Sequence, residues 1–236
     1  MSETQHHIAP TALLRQQSWL SPAFPTGAYS YSHGIEWAVG AGYIRDRGSL
    51  VDWLEADLLY GSGRNEAIFF IEAWRCARKD DWENLLEVAE LAAVFRGTSE
   101  FALESSQQGT SCLATLSRVW RDRSLTVISE LLSKRRIPPV LAVVLGVSAA
   151  RQGISATLAL PAYLQSYLAN LVTAGLRLIP LGQTDGQVAL AELEEAMLAA
   201  SAQAQAMTID DLGSAAFMVD IASASHETQY TRLFRS

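Results

Sequence analysis

The residues that could do chemistry in this chain are few, and they gather around His33. Tyr29, Ser30, Tyr31 and Ser32 precede it, and Glu36 follows three residues on. A serine activated by a neighbouring imidazole is the opening of hydrolase chemistry, so Ser30 or Ser32 with His33 as base defines one reading, a small serine hydrolase. Geometry between distant residues makes a triad, and adjacency rarely does. No glycine-flanked elbow surrounds these serines either. The hydroxyls suit a plainer task, satisfying the loop's own backbone and capping a helix that starts near Gly34. The other histidines are His6, His7 and His226. With His226, the adjacent pair His6 and His7 makes a weak metal-carrier reading, set against a flexible stretch over residues 1–10.

Other catalytic signatures are absent. There is no GxxxxGK[ST] and no Gly-Lys dipeptide to cradle phosphate, no HExxH, and no cysteine cluster with zinc spacing. Cys76 and Cys112 fall in helical stretches and read as small buried hydrophobes. The paired carboxylates Asp80–Asp81, Glu194–Glu195 and Asp210–Asp211 fall at helix starts or on solvated faces, where negative charge is favourable anyway. The tail differs. Residues 226–236 set Tyr230, Leu233 and Phe234 beside Arg232 and Arg235, the composition of an interface hot spot.

Helical periodicity runs through nearly all of the chain, with no alternating strand pattern. Thr11–Leu20 and Gly34–Ala41 read as short helices flanking the loop Ser21–His33. Ser49 with Asp52 resembles a capping box for a helix to about Tyr60. Asn65–Lys79, Trp82–Phe95 (capped by Asp81), a helix to Trp120 capped by Thr98 or Ser99, and Val140–Arg151 follow. A long helix ends at Leu178, and Pro161 places its start near Leu160, because proline is tolerated in a first turn. Pro180–Gly186 reads as a turn with Gly182 and Gly186 at positive φ. Gln187–Ala204 and Ser214–Ser225 complete the set. The expectation is one all-α domain over residues 1–236, of roughly eight to ten helices.

Hydrophobic residues make up 49% and charged residues 18% of the 236 positions, enough apolar side chains for a large core and some surface to share with another subunit. The net charge of −7 argues against nucleic-acid binding. Only Lys79 and Lys134 are lysines, and the arginines that supply the other cations pair readily with carboxylates. The longest nearly uncharged run, Ile137–Ala150, is too short to cross a bilayer of about 30 Å. Met1–Pro10 has no apolar core of a signal peptide. A cytoplasmic protein is expected.

Three segments together resemble the urease accessory protein F family (UreF). They are Leu20–Glu36 (LSPAFPTGAYSYSHGIE), Leu168–Gln187 (LANLVTAGLRLIPLGQTDGQ) and Asp220–Ser236 (DIASASHETQYTRLFRS). One stretch departs from the pattern: Phe101–Gly109 (FALESSQQG) lacks the family's arginine, so pairing on that helix face differs. The resemblance implies a non-catalytic, all-α scaffold that dimerises and has no cofactor of its own. Such a protein works with a D/H-type accessory protein and a G-type GTPase to deliver nickel to apo-urease; nickel and GTP belong to the partners. It implies that Tyr230, Arg232, Leu233 and Phe234 contact the D/H-type protein, ordering as they bind. Arg177, Gln183, Asp185 and Gln187 form a second surface, facing the GTPase, and Tyr29, Tyr31, His33 and Glu36 a third. Direct nickel carriage by His6, His7 and His226 is the remaining alternative.

Overall fold

In the computed structural model, residues 9–120 and 122–236 are described. They form twelve α-helices: α1 (Pro10–Trp19), α2 (Ile35–Gly40), α3 (Arg47–Tyr60), α4 (Ser62–Arg78), α5 (Trp82–Val94), α6 (Ser99–Trp120), α7 (Arg123–Arg135), α8 (Leu141–Arg151), α9 (Ala156–Leu178), α10 (Gln183–Glu192), α11 (Glu194–Ala206) and α12 (Phe217–His226). Among the described residues there is no strand. The all-α expectation holds, with more helices than expected.

Two differences account for the count. Arg123–Arg135 forms a helix of its own, capped by the Asp122 side chain and burying Leu125, Ile128 and Leu132. That i, i+3, i+7 spacing is one helix face. The alanine-rich stretch expected as one helix is two, parted at Leu193, which is completely buried.

The helix α4 is the centre. Ala67, Ile68, Phe69, Phe70, Ile71 and Ala73 are all buried, so the helix is apolar on most of its circumference. It packs on α3, α5, α8, α9 and α11. Its main neighbour, α8, buries every residue from Ala142 to Ala150. Helices that are hydrophobic all round belong inside, and these two are the core.

Other boundaries moved for identifiable reasons. The cap of α3 is Asp46, whose Oδ1 accepts the Ser49 N–H at 2.8 Å while Ser49 Oγ accepts the Asp46 N–H at 3.1 Å. The expected Ser49–Asp52 box is displaced by this earlier one. Asp81 and Thr98 do cap α5 and α6. Pro161 lies inside α9, which starts at Ala156. The carbonyl that the proline leaves unpaired belongs to Thr157, an exposed residue. Pro10 opens α1, a position where its missing N–H is harmless. The remaining residues expected to be flexible, 1–8, lie outside the described residues.

Gly182 has φ −88° and opens α10, its N–H held by the Asp185 carboxylate at 3.0 Å. Gly186 lies within α10, so neither glycine supplies positive φ. Gly186 packs closely on α9: a Cβ there would meet Leu176 Cδ1 at 2.7 Å, and that side chain would have to move aside.

Candidate functional site

The three segments that carry the family resemblance meet at one place. Tyr29 sits in the loop between α1 and α2, Arg177 in the last turn of α9, and Phe234 in the strap after α12. The Arg177 guanidinium lies 4.3 Å from the centroid of the Phe234 ring and donates to the Tyr29 carbonyl at 2.9 Å. Asn170, two turns earlier on α9, donates to the Ala28 carbonyl at 3.2 Å.

The strap is clamped along its length. Arg235 N–H donates to the Ser30 carbonyl at 2.8 Å, and the Ser32 N–H and hydroxyl both donate to the Ser236 carbonyl oxygen, at 2.6 and 2.5 Å. Glu36, buried at the start of α2, accepts the Leu233 N–H at 2.6 Å on one oxygen and the Phe234 N–H at 2.9 Å on the other. His226 closes the assembly. Its Nε2 lies 3.1 Å from Glu36 and its Nδ1 2.8 Å from Glu100, so each ring nitrogen faces a buried carboxylate. Arg232 pairs with the other Glu100 oxygen at 2.9 Å. Burial pushes the Glu100 carboxyl up from its ordinary value, against the pull of His226 and Arg232.

This corrects the expectation that the tail awaits a partner to become ordered. The strap folds on its own domain because buried carboxylates satisfy its backbone and its histidine. Phe234 is only 4% exposed, while Tyr230 and Leu233 point outward. Glu36, Tyr31 and His33 are buried rather than surface residues; Tyr29 alone of that loop set is well exposed. Tyr31 donates to Gln107, and burial raises its hydroxyl above the usual range. Gln183 and Gln187 are exposed, and Asp185 pairs with Arg47 at 3.5 Å.

His33 has neither Ser30 nor Ser32 at its ring. Its Nε2 lies 2.6 Å from Ser62 Oγ and its Nδ1 3.2 Å from Glu104, which outlines a serine–histidine–glutamate relay. The protons run the wrong way for catalysis. Ser62 Oγ donates to Asp57 at 2.6 Å, so the imidazole facing it acts as donor, not base. The Ser62 and Gly63 amides, where α4 could offer an oxyanion hole, are taken by the same Asp57 carboxylate at 3.0 and 3.4 Å. Tyr167 completes the knot, donating to Asp57 at 2.7 Å. The network holds charge; it does not activate a nucleophile.

Burial alone would push the His33 pKa down, but Glu104, with Asp57 and Glu66 beyond it, raises it above 6.5. The stability that His33 contributes is therefore complete below about pH 6.5 and is lost as pH rises through the raised folded value. Urea midpoints stepped upward from pH 6 should fall in the wild type and change less steeply in His33→Gln; parallel slopes would remove this assignment.

The floor of the site is α6. Phe101 stacks on His33 at 3.9 Å, and Glu104 also accepts from Ser236 Oγ at 3.0 Å and from Gln108 at 3.1 Å. Phe101–Gly109, the stretch that departs from the family pattern, thus serves the chain's own strap. Glu100, Glu104 and Gln108 were missed from sequence, although their i, i+4, i+8 spacing places them on one helix face. Cys76 and Cys112 are buried, and burial pushes the Cys76 thiol up to about 11. His6 and His7 lie outside the described residues, and His226 is committed to its two carboxylates. Among the described residues no helix is long and apolar enough to cross a membrane.

Fold and site together define an all-α protein whose terminal strap is seated on a buried acid–histidine network. The family described as UreF matches residues 44–194. The chain is 45% identical over 225 residues to the urease accessory protein UreF of Bradyrhizobium diazoefficiens, covering 95% of this chain and 92% of that one. It is 44% identical to the UreF of a Rhodopseudomonas palustris strain, covering 95% and 91%. The chain belongs to the UreF family of urease accessory proteins.

Proposed function

We propose that this chain is a non-catalytic urease maturation factor. It scaffolds a D/H-type accessory protein and a G-type GTPase so that nickel, the cargo, reaches apo-urease, and it modulates the GTPase. The supporting observation is Arg177, which ties the loop at Tyr29 to the strap at Phe234 and so joins three distant segments into one surface. That surface exposes Tyr29, Tyr230 and Leu233 beside Arg232 and Arg235, the aromatic and guanidinium chemistry of a binding hot spot. Tyr230 and Leu233 contact the D/H-type partner directly; Phe234 and Arg232 hold the strap that presents them. Gln183 and Gln187 lie on α10 beyond Arg177 and form the GTPase-facing side. The protein works in the cytoplasm as a homodimer, with no cofactor of its own.

Because the strap is part of the fold, deleting it would confuse binding with stability. The exposed pair makes the cleaner test. Tyr230→Ala with Leu233→Ala should abolish co-elution with a D/H-type partner, a loss of at least about 2 kcal/mol, while the unfolding midpoint stays near wild type. Undiminished co-elution would move the partner surface elsewhere. Arg177→Ala should change GTP turnover of the full assembly; unchanged turnover would remove the GTPase-facing assignment.

A further inference from the structure

The seat of the strap needs one proton more than a neutral histidine and two ionised acids supply. His226 is completely buried, so water cannot stand in for either of its partners. Glu100 Oε2 lies 2.8 Å from Nδ1, and Glu36 Oε2 lies 3.1 Å from Nε2. Both are hydrogen-bond distances between nitrogen and oxygen, and each bond requires a proton of its own. A neutral imidazole carries one N–H, and ionised carboxylates carry none. The second bond therefore takes a second proton, on the ring or on one of the acids. Without it a nitrogen lone pair would face a carboxylate oxygen, an unpaired contact that a site closed to water penalises.

The surrounding charges favour keeping that proton. Glu36 comes from α2 and Glu100 from α6, and Glu227, next in the chain, adds its negative field at Glu100. Arg232 of the strap pairs with Glu100 at 2.9 Å. Glu104, one turn along α6, is engaged by His33 and by the Ser236 hydroxyl. Burial pushes the Glu100 carboxyl up, which offers the proton a second place to reside. Glu36 then links the proton to the strap. The carboxylate that faces Nε2 also accepts the Leu233 N–H at 2.6 Å and the Phe234 N–H at 2.9 Å. Beyond them, the Arg235 N–H and the Ser236 carbonyl are held by neutral groups of Ser30 and Ser32.

We infer that the strap is latched by a proton shared among Glu36, His226 and Glu100, and that rising pH slackens the segment carrying Leu233 while its far end stays anchored. The seated strap binds one proton more than a released strap whose histidine is neutral and whose acids are ionised. Seating is therefore strongest below about pH 6.5, where a released histidine is protonated in any case, and weakens as pH rises and the triad gives the proton up. Only the consequence of the latch rests on the reading of the strap as a partner surface: Leu233, and Tyr230 near it, are presented by a segment whose firmness follows pH.

The test is solvent exchange of the Leu233 and Phe234 amides in the full ¹⁵N-labelled chain from about pH 6 to about pH 9, corrected for the intrinsic rise of exchange with pH. Protection should fall by up to about tenfold per pH unit, the slope of one proton. Glu100→Gln is the diagnostic change. Its carbonyl can still accept from Arg232 while its amide donates to Nδ1, which leaves a neutral ring to donate to Glu36. Both bonds then form without the extra proton, so protection should persist and lose its dependence on pH. His33→Gln should keep the wild-type slope. A purely structural role would lower protection in Glu100→Gln at every pH, and that result overturns the proposal. So does a flat profile in the wild type, the wild-type slope in Glu100→Gln, or loss of the slope in His33→Gln, which would give the proton to the Glu104 pair. If Glu100→Gln does not fold, His226→Gln, whose new side chain does not titrate, must be flat, and a surviving slope is equally fatal. No partner is present in these measurements, so their failure leaves the partner surface to the Tyr230 and Leu233 variants, and failure of those leaves the latch in place.

Discussion

Replacing His226 with alanine should destabilise the protein by at least about 1–3 kcal/mol, the range for leaving a buried hydrogen-bonding group without its partner. The side chain is completely buried between Glu36 and Glu100, with both ring nitrogens engaged. Without it, two carboxylates from α2 and α6 lose a shared partner, and Glu100 keeps its pairing with the partly exposed Arg232. Glu36 is also the acceptor for the Leu233 and Phe234 amides, so the damage should reach the strap. Urea unfolding reads the first effect, and hydrogen exchange at Leu233 and Phe234 the second. His226→Gln, able to donate to one acid, should recover part of both. A strap that stays protected in His226→Ala would show that Ser30, Ser32 and Arg177 hold it alone, and the acid–histidine clamp would lose its role.

The strap shows what was legible in the sequence and what was not. Its residue types announced a contact surface, since Tyr230, Leu233 and Phe234 among arginines are unusual in a free tail. Their direction could not be read, because the receptor is made of Glu36, Glu100 and Glu104, acids scattered over two helices and hidden within apolar stripes. Buried acids carry no local signal of their own; only the folded arrangement pairs them. His33 is similar. Its neighbours in sequence suggested Ser30 and Ser32, yet its partners in space are Ser62, Glu104 and Tyr167.

The helices divide along the same line. Caps with side-chain chemistry, Asp81 and Thr98, were legible because the interaction is local. The break at Leu193 was not, because nothing in an alanine-rich run disfavours continuing; burial of Leu193 sets it from outside. Arg123–Arg135 carried a readable pattern that the cluster of charges around it obscured. The departure at Phe101–Gly109 and the convergence of loop, α9 and strap belong together. A helix face that serves its own strap with Glu104 and Gln108 has no need of an arginine to reach a partner.

Gly146→Val should be among the most damaging changes in the core. On α8 a Cβ at this position would lie inside van der Waals distance of the Phe70 carbonyl oxygen, with the Ala73 Cβ at 3.3 Å. The obstacle is the backbone of α4, not the end of a flexible side chain. The two most deeply buried helices would have to separate, and every apolar contact between them would lengthen. Overpacking that side chains can absorb costs about 1–3 kcal/mol; here it should reach the upper end of that range or exceed it. Against the total stability usual for a folded protein, about 5–15 kcal/mol, such a loss places the variant near the folding threshold. Gly40→Ala is the control. No atom lies within 4 Å of a Cβ there, and it ends a helix, so it should be neutral or stabilising by up to about 1 kcal/mol. Unfolding free energies of the two variants, from denaturant titration, should therefore move in opposite directions or differ by several kcal/mol. Equal unfolding free energies would mean that α4 and α8 can part without penalty, and that the close approach at Gly146 is not what organises this core.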